Sequence, residues 1–108
     1  MKYISTRGGI APISFQEAVM MGLATDGGLL LPESLPEVTA GTMNRWKTLS
    51  FQQLASEIFQ FFIDDIPEDR IDSLIRQSYS TFDHPEITPL VKKGELYILE
   101  LFHGPTLA

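Results

Sequence analysis

The chain has 108 residues, with 8 Lys+Arg against 14 Asp+Glu, a formal charge of −6, 44% hydrophobic residues and no cysteine. That is the length and composition of one globular domain, which excludes wholesale disorder. It also excludes a disulfide scaffold, a thiolate metal site, a cysteine nucleophile and the basic stripe that nucleic-acid binding needs.

Lys2–Thr6 reads as a short strand, and Arg7-Gly8-Gly9 as a glycine turn. Ser14 and Glu17 have the spacing of a capping box. The first helix is therefore expected from Ser14, with Phe15, Ala18 and Val19 near one face and Gly22 as its stop. Asp26-Gly27-Gly28 reads as a tight turn into Leu29–Leu31, a short strand ended by Pro32. Residues 34–48 read as irregular, with Trp46 as an anchor or a lid on the core.

Ser50 and Gln53 form a second capping box, followed by Leu54, Ala55, Ile58, Phe59 and Phe62 at helical spacing. The third helix has the clearest period: Ile71, Leu74, Ile75, Ser78, Tyr79 and Phe82. Pro67 suits its first turn, and Glu68 and Asp69 suit the positive end of its dipole. The short link between these helices predicts an antiparallel hairpin. Residues 83–94 read as a turn-rich link. Leu96–Phe102 reads as a strand apolar on both faces except at Glu100, the pattern of a strand covered on both sides. The chain supplies few partner strands, so the cover is expected from elsewhere. The fold expected is α+β, three helices packed with one small β-sheet made from Lys2–Thr6, Leu29–Leu31 and Leu96–Phe102.

No apolar run approaches the ~18 residues of a spanning helix. Met1–Gly9 lacks the apolar core of a signal peptide. The expectation is a cytoplasmic chain whose partners include neither a membrane nor nucleic acid. His103, Gly104, Pro105 and Thr106 follow the apolar strand, a place where sites concentrate. They read either as a site wall with amides and a hydroxyl for an anionic ligand, or as an ordinary strand-to-helix connection. Thr6-Arg7-Gly8 and Asp26-Gly27-Gly28 read as turns that can also approach a ligand closely. His84 and His103 have no spacing that supports a metal, and none is expected. The lysines Lys2, Lys47, Lys92 and Lys93 all lie outside apolar segments, so no catalytic residue is assigned.

In these blocks the chain resembles threonine synthases, over their N-terminal part. The blocks are Tyr3–Gly8, Ser14–Ala18, Gly22–Leu29 with Pro32, Leu49–Ala55, Thr88–Leu90 and, most specifically, Leu99–Ala108. Residues 34–48 hardly match. In that family the last block runs into Phe-Lys-Asp, whose lysine carries pyridoxal 5′-phosphate. Ala108 falls two residues short of that lysine.

The resemblance implies a fold-type-II pyridoxal-phosphate enzyme that converts O-phosphohomoserine and water to threonine and phosphate. Residues 1–108 would be its N-terminal domain, with 93–108 leading into the catalytic domain, the remainder of the same polypeptide. It implies His103, Gly104, Pro105 and Thr106 as cofactor-binding residues, and Thr6, Arg7 and Asp26 as substrate-binding residues, in turns that border the substrate entrance or the domain contact. Alone, the chain would bind no cofactor and have no activity. The alternatives are a threonine-synthase-like phospho-lyase and a stand-alone interaction domain that uses the uncovered strand.

Overall fold

The computed structural model describes residues 1–106; Leu107 and Ala108, the end of the last motif block, lie outside the described residues. The element order is β1 (Tyr3–Ser5), α1 (Phe15–Met21), β2 (Leu30–Pro32), α2 (Ala40–Trp46), α3 (Phe51–Phe62), α4 (Glu68–Tyr79), β3 (Leu90–Lys93) and β4 (Leu96–Leu99). β1 pairs antiparallel with β2, Tyr3 opposite Pro32 and Ser5 opposite Leu30.

Both expected capping boxes are present. The Glu17 amide donates to Ser14 Oγ at 3.3 Å, and the Ser14 amide donates to Glu17 Oε2 at 2.8 Å. Ser50 and Gln53 repeat the exchange at 3.3 and 2.9 Å. α1 ends at Gly22, whose φ of 73° is a conformation that side chains resist. Its N-terminus carries a second, distant cap, because the Gln16 amide donates to Asp65 Oδ2 at 2.9 Å.

α3 and α4 form the antiparallel hairpin. Phe51 packs edge-on to Tyr79 at 4.8 Å, the Ser56 hydroxyl meets Asp72, and Gln60 Nε2 donates to Glu68 Oε1 at 2.9 Å. The partner numbers fall along one helix as they rise along the other. Between them Ile63, Ile71 and Ile75 form the core, flanked by Phe15, Ala55, Phe62, Ile66 and Tyr79. Burying each isoleucine stabilises the fold by about 1.5–3 kcal/mol.

Five features differ from the sequence expectation. A fourth helix, α2, lies within the stretch read as irregular. It buries none of its residues, so no apolar stripe announces it. It is held instead through Glu57 on α3. The Arg45 guanidinium pairs with that carboxylate, and Trp46 Nε1 donates to it at 2.7 Å.

The single sheet is replaced by two two-stranded ladders. The residues expected to link, 83–94, contain β3, which pairs with β4 from Leu90 opposite Leu99 to Lys93 opposite Leu96. Gly94, at φ 61°, leads the two-residue turn that makes the hairpin. The expected strand Leu96–Phe102 is shorter, ending at Leu99. Pro67 precedes α4 as its N-cap residue rather than opening its first turn, and makes no side-chain cap.

Every residue of β4 is exposed, from Leu96 at 71% onward, and so is Phe102, also at 71%. The cover that this apolar strand calls for does not come from the described residues.

Candidate functional site

Two clusters contain the residues singled out in the sequence. The first is built on the β1 exit and the Asp26-Gly27-Gly28 turn. The Asp26 carboxylate accepts the Ser5 hydroxyl at 2.7 and 2.8 Å, the Gly28 amide at 2.9 Å and the Gly9 amide at 2.7 Å. The Gly28 amide first, then Ser5 and Gly9, hold this carboxyl below the ordinary aspartate range.

Arg7 Nη1 donates to the Asp26 carbonyl at 3.0 Å, while its side chain stays exposed. Thr6 Oγ1 accepts the Leu29 amide at 3.0 Å. Thr6, Arg7 and Asp26 thus lie in one cluster. Asp26 is engaged by protein donors, and Arg7 keeps donors free for an anion.

Gly28 is where the backbone comes closest. A Cβ there would overlap Ser5 Oγ and lie 3.0 Å from Asp26 Oδ1. Ser5, which sequence reasoning did not single out, is only 6% exposed and joins the two halves of the cluster. Its signal is nonlocal, and spacing alone does not carry it.

The second cluster is built on the segment after β4. His103 Nδ1 lies 2.5 Å from Asp83 Oδ1, and Nε2 lies 2.8 Å from Glu100 Oε2. The Asp83 amide donates to the His103 carbonyl at 3.1 Å, which ties this segment to the end of α4. His84 and Phe102 place their rings 4.8 and 4.6 Å from the His103 ring.

Gly104 lies against Phe82, so close that a Cβ would come within 3.1 Å of the ring. Pro105 and Thr106 are exposed. Glu100 first, then Asp83, raise the His103 pKa above the ordinary histidine value, against partial loss of water. Asp83 was not anticipated as a partner, being 20 positions away from His103.

Among the described residues no hydrogen bond joins the two clusters, and no group of three or more His, Asp or Glu side chains is arranged to hold a metal ion. No described helix is long and apolar enough to cross a membrane. An open groove of about 1070 Å³ lies along α3 and α4, lined by both polar residues such as Gln53, Glu57 and Asp72 and apolar ones such as Leu49, Phe61 and Ile75. None of the residues singled out as cofactor or substrate contacts lines it.

Comparison with known proteins gives these arrangements a context. The chain is 48% identical to the threonine synthase of Schizosaccharomyces pombe over 111 aligned positions, covering 100% of this chain and 22% of that protein. It is 40% identical to the human protein named threonine synthase-like 2, covering 100% of this chain and 23% of that one. The crystal structure of pyridoxal-phosphate-bound threonine synthase from Brucella melitensis superposes with a TM-score of 0.91 at 40% identity, covering 100% of this chain and 24% of that one.

The α+β architecture of four helices and small antiparallel sheets is therefore the one found in threonine synthase structures. The chain spans less than a quarter of the length of the relatives it matches. The family model described as "Threonine synthase N terminus" matches residues 2–79. With that match over most of its length, the chain belongs to the threonine synthase family.

Proposed function

We propose that residues 1–108 are the N-terminal domain of a pyridoxal-phosphate-dependent threonine synthase, with 93–108 leading into the catalytic domain. In this reading the complete, cytoplasmic protein converts O-phospho-L-homoserine and water to L-threonine and phosphate. The observation that carries it is whole-chain identity of 48% to a threonine synthase of which this chain spans 22%. The uncovered β4 agrees with it, since a strand apolar on both faces fits beneath a further domain.

The residues after β4 fit one wall of a cofactor site. Gly104 is committed to its close approach to Phe82, which fixes the path of the backbone. Beyond it, the hydroxyl and main-chain amide of exposed Thr106 are donors suited to a phosphate. His103, Gly104, Pro105 and Thr106 would line that wall. When bound, the cofactor supplies an electron sink for carbanion chemistry.

The lysine that would carry it is outside this sequence. Lys92 lies over the Tyr97 ring at 5.8 Å, a surface contact. Arg7 would meet an anionic substrate at the entrance. Thr6 and Asp26 would border the same entrance by holding the turn that presents Arg7. Residues 1–108 alone are expected to be inactive.

The test is to incubate the complete protein with O-phosphohomoserine, and residues 1–108 separately, and measure phosphate and threonine. Threonine from the complete protein alone supports the reading. Turnover by residues 1–108 overturns the assignment of an inactive domain. A second reading is a threonine-synthase-like phospho-lyase, since the chain is also 40% identical to a human protein named only as threonine synthase-like. A 2-oxo acid in place of threonine would select it.

A further inference from the structure

His103 is gripped from two elements at once. Asp83 reaches it from the connection after α4, through both its side chain and its main-chain amide, and Glu100 reaches it from the segment after β4. The two ring nitrogens of an imidazole face in different directions. A neutral ring has one N–H and serves one carboxylate, turning a lone pair toward the other. Only the ring with both nitrogens protonated donates to Asp83 and Glu100 together.

The His103 side chain is 12% exposed, so an unmatched nitrogen there has little water to fall back on. The grip is continuous with the next residue, Gly104, which is packed on Phe82. It thereby fixes the direction in which Pro105 and Thr106 leave.

We infer that Asp83 and Glu100 hold a charged His103 as a strut that sets the path of Gly104–Thr106, making Asp83 a positioning residue for the cofactor wall. This rests on the reading of that wall given above. The titratable groups facing the ring are Asp83 and His84 from the connection after α4, and Glu100 from its own segment. The two carboxylates favour the charged ring, and a proton on His84 opposes it. Because Glu100 and Asp83 raise the folded pKa, the strut is complete at and below the ordinary histidine value. It weakens as pH rises through the raised one.

The experiment uses the complete protein loaded with pyridoxal phosphate, native and Asp83→Asn. The rate of cofactor loss to an excess of a trapping amine is followed by visible absorbance across pH. Asp83 is 75% exposed, so the expected change is modest, about two- to fivefold faster loss near neutral pH. The difference should vanish at alkaline pH, where His103 is neutral in both proteins. Histidine-labelled NMR should show the His103 titration moving to lower pH in the variant.

Equal rates at every pH, or a difference that persists unchanged at alkaline pH, would overturn the strut. If Asp83→Asn fails to fold, Glu100→Gln answers the same question from the other nitrogen. Failure of the native complete protein to take up pyridoxal phosphate would overturn the proposed function and the strut together. Uptake with no effect of either variant overturns the strut alone.

Discussion

The Ser5 hydroxyl donates to the Asp26 carboxylate across 21 positions of chain, at 2.7 and 2.8 Å. Ser5 Oγ also accepts the Arg7 amide at 3.1 Å, so one buried hydroxyl joins the strand exit to the turn before β2. Ser5→Ala leaves that amide and one side of the carboxylate unmatched. It should cost about 1–3 kcal/mol, read from chemical denaturation.

The same carboxylate gives a pH dependence with a defined sign. Its folded pKa is lowered, by the Gly28 amide first and then by Ser5. Its contribution is therefore whole above the ordinary aspartate value and is lost as pH falls through the lower folded one. Asp26→Asn should melt below the native chain near neutral pH, and the gap should narrow as pH falls below the ordinary aspartate value and through the lower folded one. A gap of constant width would show that the charge plays no part.

Two glycines should respond differently to alanine. At Gly22 a Cβ meets open space, and the cost is that of a side chain at φ 73°, about 1–2 kcal/mol. At Gly28 the Cβ overlaps Ser5 Oγ and crowds the Arg7 amide at 3.1 Å. Gly28→Ala should therefore be the more damaging substitution. Thermal melts of the two variants side by side decide the order.

Trp46 is the sole tryptophan, and it stands edge-on to Phe61 at 6.0 Å while its indole N–H donates to Glu57. Glu57→Ala removes the anchor of α2 without touching α2 itself. The expected result is a red-shifted, more quenchable tryptophan emission and a small loss of helical circular dichroism. Unchanged emission would mean that the ring contact alone holds the helix.

Ile87 adopts φ 63°, in the left-handed region that β-branched residues avoid, yet it is 4% exposed. The Thr88 amide closes a γ-turn onto the Glu86 carbonyl at 2.6 Å. Burial of the side chain therefore opposes backbone strain of about 1–3 kcal/mol. Ile87→Ala should cost about 2–4 kcal/mol, because it loses packing and keeps the strain. Ile87→Gly should be no worse, reversing the order usual for a buried site.

The limits of sequence reading follow the same physics. The capping boxes at Ser14 and Ser50 were legible because both partners lie within three positions. The α3–α4 hairpin was legible because its apolar period is long and uninterrupted. α2 was not, because Thr39, Gly41 and Asn44 give it a weak helical signal and its anchor, Glu57, lies on another helix.

β3 was hidden by Lys92 and Lys93, which break its apolar pattern, although Gly94 does mark the hairpin turn. In the candidate sites, His103 and Asp26 stood out for their places beside glycine loops. Their partners Asp83 and Ser5 are set by folding over about twenty positions, a separation that motif spacing does not reach.

The bare face of the β3–β4 hairpin has a temporal side. In a polypeptide proportioned like the fission-yeast relative, this segment is 22% of the whole, so most of the chain is still to be made when the segment leaves the ribosome. At ~5–20 residues per second, that face would wait on the order of tens of seconds for its cover. During that interval Leu96, Tyr97, Leu101 and Phe102 are a sticky surface on a nascent chain. Nearby Lys92, Lys93 and Glu95 then act as gatekeepers, charges that discourage one unfinished chain from pairing with the next.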